Sequence, residues 1–182
     1  MRPFVAGTGT GRPGLIRAQD SARDGELRAC LSRFAAGVTV VTFAGPQGPR
    51  GLTVSSFTSV SMRPPLVLVC IARTARSHDE LARQPFCVNV LGAEQEGLAR
   101  RFAGGQGASA GVSWSAGHAV PCLDGALAHL ECRPWRTYDG GDHTIVVGEV
   151  TGFRYRDGDA LAYLASRFTT LAEPRLGMEY LL

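Results

Sequence analysis

Long apolar runs are missing from this sequence. The longest, such as Leu66 to Ala72, fall well short of the ~20 residues that span a bilayer, so no membrane-crossing role is expected. There is no Cys-x-x-Cys spacing and no adjacent histidine pair, and the five cysteines (Cys30, Cys70, Cys87, Cys122, Cys132) are an odd number. That usage argues against a zinc site and against the disulfide framework of a secreted domain. No metal is expected, and the expected compartment is the reducing cytoplasm. Charge is sparse and nearly balanced, with 19% charged residues and a net +3, and the arginines are scattered rather than gathered into a basic stripe. Nucleic acid is therefore not an expected partner. The Gly-x-Gly-x-x-Gly fingerprint is absent, and the glycine-rich stretch from Gly104 to Gly111 lacks the Lys-Ser/Thr ending of a phosphate-binding loop, so it reads as a mobile loop. No internal repeat is visible. Residues 1–25 have no apolar segment of signal-peptide type and read as a disordered lead-in.

What is present suits a single globular domain. A chain of 182 residues with 45% hydrophobic content is long enough for one good core and short for two. The domain is expected over residues 26–170, with a tail over 171–182. Asp24 to Ala36 places Leu27, Cys30, Leu31, Phe34 and Ala35 at helical spacing, with Gly37 where a C-terminal cap belongs. Val38 to Phe43 is strand-like, and the dense turn chemistry of residues 45–51 predicts a hairpin into Leu52-Thr53-Val54. Leu66 to Ile71 reads as a strand buried on both faces. Short helices are expected over Ser77 to Arg83 and Ala93 to Phe102, with a strand over Phe86 to Leu91 between them. Two long strands, about Ala126 to Tyr138 and His143 to Tyr155, flank a tight turn at residues 139–142, and a last strand lies near Leu161 to Leu164. Regular strand–helix alternation is missing. The pattern favours a mostly β (α+β) fold, a closed or sandwiched antiparallel barrel with a few short helices.

The segment from Thr53 to Ser61 is the most informative part. Four serines (Ser55, Ser56, Ser59, Ser61) and two threonines (Thr53, Thr58) run straight toward the apolar strand, supplying more short donors than a turn needs for its own backbone. A bound ligand accounts for that density; a hydroxyl-rich edge strand and loop accounts for it as well.

Several separated segments, in order, resemble one family. They are residues 34–42 (Phe-Ala-Ala-Gly-Val-Thr-Val-Val-Thr), residues 51–61 (Gly-Leu-Thr-Val-Ser-Ser-Phe-Thr-Ser-Val-Ser) and Pro64-Pro65 with the strand after it. Ser77-His78, Phe86 to Leu91, Leu98 to Ala103 and residues 141–150 (Gly-Asp-His-Thr-Ile-Val-Val-Gly-Glu-Val) follow. Together they resemble the flavin reductases of the split-barrel flavin-binding superfamily, the small reductase partners of two-component flavin monooxygenases. The resemblance implies an antiparallel split β-barrel, FMN or FAD as the flavin, NADH or NADPH as its reductant, a larger monooxygenase as partner, and a homodimer whose second subunit completes the flavin cleft.

The resemblance also implies residue roles. Thr53, Val54, Ser55 and Ser56 would lie along the flavin ring with backbone amides toward its carbonyls. Val38 and Thr39 would approach from the first strand, Ser59, Cys70 and Ile71 would line the pocket, and Arg76 with Ser77 would reach the phosphate. Arg100 and Arg101 suit further phosphate contacts and a solvated helix face equally. His143 would sit near the nicotinamide, orienting it or hydrogen-bonding the flavin; a turn role paired with Asp142 is the plainer alternative. His78 reads as a helix-start group, and His118 and His129 give no usable signal. The sequence departs from the family where Ser166-Arg167-Phe168 stands in place of Gly-x-Tyr. Phe168 keeps the aromatic ring without its hydroxyl, suiting either a stacking role or core packing. The expected activity is hydride transfer from reduced nicotinamide to flavin, with no side-chain nucleophile. The rival readings are a split-barrel oxidase of a small organic substrate and a non-catalytic flavin-binding module.

Overall fold

β-branched residues and short turns set the architecture. The computed structural model describes residues 24–104, 111–116 and 118–172. The expected lead-in, the glycine-rich loop and the tail therefore lie largely outside the described residues. Strand β1 spans Ala36–Gly37, β2 spans Thr39–Gly45 and β3 spans Gly48–Val54. The β2–β3 hairpin forms as expected, but strand pairing runs out to Gly45 opposite Gly48, so only residues 46 and 47 turn. Pro49 is tolerated inside β3 because β3 is an edge strand, where a missing N–H leaves no ladder bond broken. β4 (Thr58–Met62) is an edge strand too, and β5 (Pro65–Ala72) pairs with it.

A one-turn helix α2 (His78–Leu81) precedes β6 (Phe86–Val90), and a 3-10 turn at Ala93–Gln95 leads into α3 (Glu96–Ala103). The short pair β7 (Trp114–Ser115) and β8 (Cys122–Leu123) precedes the long hairpin β9 (Ala128–Gly140) and β10 (His143–Tyr155). The last described strands are β11 (Ala160–Leu164) and β12 (Arg167–Leu171).

The main sheet has seven strands in the order β3-β2-β6-β9-β10-β5-β4, and every recorded pairing is antiparallel. β1, β11 and β12 form a separate three-stranded sheet. Val54 of β3, Val41 and Phe43 of β2, Phe86 and Val88 of β6, Cys132 of β9, Val146 of β10, and Val67, Val69 and Ile71 of β5 share one buried core. Strands from opposite ends of the sheet therefore pack on the same interior, which requires the sheet to roll. β3 and β4, its two edges, do not hydrogen-bond to each other. Ser56, in the connection between β3 and β4, is tied to β5: its Oγ accepts from Cys70 N at 2.9 Å and donates to Cys70 O at 3.2 Å.

Three expectations need correction. The first helix, α1 (Asp24–Leu31), stops early and buries none of its residues; Leu27, Leu31 and Phe34 stay exposed, because no described element packs on its apolar side. Gly37 is in β1, not in a helix cap. β5 is not buried on both faces: Val67, Val69 and Ile71 point into the core while Leu66, Leu68 and Cys70 are half-buried.

A second core lies outside the barrel, where Val38, Val40, Leu91, Ala99, Phe102, Leu123 and Leu161 pack together. Asn89, fully buried on β6, joins three elements: its Nδ2 donates to Val40 O at 2.7 Å and to Thr42 Oγ1 at 2.9 Å, and its Oδ1 accepts from Leu123 N at 2.7 Å. His129 is also buried, and its Nε2 donates to Leu123 O at 2.6 Å while Nδ1 has no partner. Burial pushes its pKa below the ordinary 6.5, helped by the nearby His118 and Arg154. Below that value the unfolded chain takes up a proton that the folded one resists, so stability holds above about pH 6.5 and falls as pH drops toward the folded pKa. Melting temperature should decline from pH 7 to pH 5, and His129→Gln should flatten that decline. No described helix is long and apolar enough to cross a membrane.

Candidate flavin and nicotinamide cleft

The C-terminal half of β3 and the loop after it form one wall of a cleft. Alternation along the strand sends Val54 into the barrel core and turns Thr53 and Ser55 outward. A cavity of ≈ 430 Å³ opens there, lined by Arg50 to Ser56, by Cys70 and Ala72 of β5, by residues 74–77, by Phe102 and Ala103 of α3, and by His143. A second, of ≈ 400 Å³, is lined by Val38, Thr53, Ser55, Arg100, Ala103, Gly104, Tyr163 and Phe168. Thr53, Ser55 and Ala103 face both.

Three of the six hydroxyls of the Ser/Thr-rich stretch, those of Thr53, Ser56 and Ser61, are spent inside the protein, as is that of Thr39 on β2. Thr39 is buried and donates to Val54 O at 3.0 Å, fixing β3 rather than lining either cavity. Thr53 Oγ1 donates to Ala99 O at 2.7 Å, tying β3 to α3. Ser56 is committed to Cys70, and Ser61 Oγ accepts from Arg63 N at 3.2 Å. Ser55 is exposed and its hydroxyl has no partner among the described residues. The wall thus presents backbone, one free hydroxyl and short side chains, a flat surface suited to a planar ring. Gly51 extends that wall: a Cβ there would sit 3.1 Å from both the Phe102 ring and Thr42 Cγ2, so only glycine lets Phe102 lie this close to β3.

Of the other residues singled out in the sequence, Val38 lines the second cavity, and Cys70, Arg76, Ser77 and His143 line the first. Ile71 does not join Cys70 there: neighbours on a strand point to opposite faces, and Ile71 is buried in the core. Ser59 is exposed on β4, opposite Val67 and away from both cavities. Phe168 takes the packing role and also reaches a cavity. It packs against the second core and also lines the second cavity, edge-on to Tyr163 at 5.2 Å and under the Arg100 guanidinium at 4.9 Å.

His143 is placed by its turn. Gly141 takes φ +76, Asp139 Oδ1 accepts from Gly141 N at 2.8 Å, and Arg73 grips the turn through Gly141 O at 2.9 Å, Asp139 Oδ2 at 3.0 Å and Asp142 O at 2.9 Å. His143 Nδ1 lies 2.7 Å from Asp142 Oδ1. The carboxylate only accepts, so Nδ1 carries the proton and Nε2 is left for a ligand. The same hydrogen bond, and then the charge of His143, hold the Asp142 carboxyl below its ordinary range.

His78 turns away from this cleft. Its Nε2 lies 2.7 Å from Thr144 Oγ1 and its Nδ1 2.8 Å from Asp79 Oδ1. His118, Cys122 and Glu131 bring ligand-type atoms within 4.8 Å of one another. Both ring nitrogens of His118 are occupied, however: Nδ1 donates to Glu131 at 2.6 Å and Nε2 accepts from Arg154 at 2.8 Å. The group is thus an ordered Glu–His–Arg chain beside a thiol. Arg50, Gly51, Leu52, Ala72, Thr74, Ala75, Phe102, Ala103 and Tyr163 line the cavities without having been assigned a role in the sequence. Of these, Gly51, Leu52, Phe102 and Ala103 carried a signal, as parts of family-like segments.

Similarity to known proteins agrees with this geometry. An FMN reductase (NADH) of Agrobacterium fabrum is 43% identical over 144 residues, covering 78% of this chain and 83% of that protein. The crystal structure of the NADH:FAD oxidoreductase of Streptomyces globisporus C-1027, in complex with NAD and FAD fragments, superposes with a TM-score of 0.79 at 42% identity, covering 86% of this chain and 97% of that one. The flavin reductase component of a bacterial two-component tryptophan halogenase superposes with a TM-score of 0.75 at 40% identity, covering 82% of this chain and 99% of that one. The profile described as flavin reductase like domain matches residues 31–172, the whole span of the two sheets and the cleft, and this chain belongs to that family.

Proposed function

We propose that this protein reduces a free flavin, FMN or FAD, with NADH, and that the reduced flavin passes to a larger flavin-dependent monooxygenase. The observation that carries this reading is the pair of adjoining cavities on a common wall, one holding His143 and the other Phe168. Two flat partners in contact require such an arrangement. The residues present fit a flavin: a short-side-chain wall for the ring, backbone and the free Ser55 hydroxyl for its polar edge, and Arg76 with Ser77 for the phosphate. Bound flavin supplies the two-electron acceptor.

The chain's own work is placement. The wall from Thr53 to Ser56 fixes one plane, and the ring of Phe168, braced by Tyr163 and Arg100, offers a second aromatic surface beside it. Stacking the reacting carbon over its acceptor turns an encounter in solution into a positioned transfer. His143, with Nδ1–H held by Asp142, presents Nε2 to orient the nicotinamide or to accept a hydrogen bond. Phe102 and Ala103 exclude water from the deep side.

The chain pairs with a second copy. Support comes from α1, which buries nothing, and from Phe34, Met62, Phe153 and Tyr155, each at least 75% exposed. The partner monooxygenase is supported by the relative that serves a two-component halogenase.

Anaerobic absorbance tests the activity. Protein with FMN or FAD should bleach rapidly on adding NADH. Flavin that binds and stays oxidised would sink this reading in favour of an oxidase or a carrier.

A further inference from the structure

The phosphate end of the cleft contains a cation that its sequence position does not advertise. Arg50 sits on β3 ahead of the Ser/Thr-rich stretch and lines the larger cavity with Arg76 and Ser77. Its NH1 donates to Glu80 Oε1 at 2.6 Å, with side-chain exposures of 30% and 35%. Glu80 lies on α2, three residues after Ser77, so the ion pair brings the guanidinium to the end of the cleft where Ser77 stands.

Two details separate this pair from an ordinary surface salt bridge. The rest of the Arg50 fork has no protein partner among the described residues, leaving donors free beside the cavity. Glu80 Oε2 is buried with no hydrogen-bond partner, an arrangement with no benefit to the folded chain by itself. The chain also contains no lysine, so arginine is the one permanently charged side-chain cation it can offer a bound phosphate. A guanidinium fork matches phosphate oxygens in a way that a point charge does not.

We propose that Arg50 is the residue by which this cleft distinguishes phosphorylated flavins from riboflavin, and that Glu80 positions it while holding its charge partly in check. The inference rests on the flavin reading above. With the cleft empty, Glu80 holds the half-buried side chain against α2; a phosphate takes the unspent part of the fork. The carboxylate then stands close to the bound anion and opposes it. The pair thus sets affinity low enough for flavin to leave once reduced, which a reductase serving another enzyme requires.

The two residues should act in opposite directions, a result that structural support alone would not give. Fluorescence titration of riboflavin, FMN and FAD should show Arg50→Gln weakening both phosphorylated flavins by about tenfold or more, the usual worth of one charge-assisted hydrogen bond, with riboflavin little changed. Glu80→Gln keeps an acceptor for NH1 and removes the charge. It should tighten FMN and FAD by about threefold and leave riboflavin alone. Retained riboflavin binding also certifies that each variant is folded, and Arg50→Lys should recover only part of the loss. Equal weakening of riboflavin by Arg50→Gln, or unchanged FMN affinity, overturns the proposal while the flavin reading stands. A wild-type protein that binds none of the three flavins overturns both.

Discussion

A His143→Ala variant is expected to reduce flavin about 10²-fold more slowly than the parent protein under anaerobic stopped-flow conditions, the low end of what a positioned proton-handling group contributes. Flavin affinity should change by no more than a few-fold, since the cleft wall, the phosphate end and Phe102 are untouched. The size of the effect follows from how firmly the ring is held. Three contacts from Arg73 fix the turn, Gly141 supplies the positive φ, and Asp142 commits Nδ1. Nε2 is thus offered to a ligand in one orientation. Asp142→Asn, which keeps a hydrogen-bonding oxygen but loses the charge, should slow reduction less. A His143→Ala rate equal to the parent's would reduce His143 to a turn residue.

The second large effect is on stability. Asn89→Leu conserves volume roughly but leaves Leu123 N buried without its acceptor and strips Val40 O and Thr42 Oγ1 of a donor. Buried groups left unpaired cost about 1–3 kcal/mol each, and sheet bonds recover part of the loss at Val40, so a total of ~3 kcal/mol is expected. For a chain of this size that corresponds to a fall of roughly 6–12 °C in melting temperature. Differential scanning calorimetry reads it directly, and a change under 2 °C, within about 1 kcal/mol, would show that the network is replaceable. Because this asparagine is one of the ties that hold β8, with His129 the other at Leu123, its loss should also loosen the second core, where Leu123 packs with Phe102.

The main β-elements were legible because their determinants are local. Val38 to Phe43 has the β-branched density of a strand, and Asp139 to Asp142 has the glycine and aspartate that a hairpin turn demands. β12 was missed for the converse reason. The turn before it places Ala165 and Ser166 at φ 48 and 61, a conformation normally announced by glycine or asparagine, so nothing marked a hairpin after Leu164. The length of α1 was overestimated because helical spacing reports amphipathicity and not the presence of something to pack against. At the cleft, the Ser/Thr stretch drew attention for its hydroxyls. The structure shows that Thr39, Thr53 and Ser56 spend theirs on backbone partners, and which oxygens remain free is a tertiary fact. Arg50 reaches the cavity only when β3 and α2 are brought together, so no linear pattern reveals it, and the family-like segment that contains Phe102 does not say that its ring meets β3.

Thr53, Ser55 and Ala103 belong to both cavities at once. On the proposed reading, an occupant of either one would become part of the surroundings of the other, and the two binding equilibria would be coupled. Thermodynamic reciprocity then fixes a constraint that no choice of kinetic scheme escapes. Whatever factor a bound nicotinamide applies to the dissociation constant of flavin, bound flavin must apply to that of the nicotinamide. Hydride transfer changes the charge of both partners, so on the proposed reading the same three residues that would bring the pair together would also form the surface across which their release is linked.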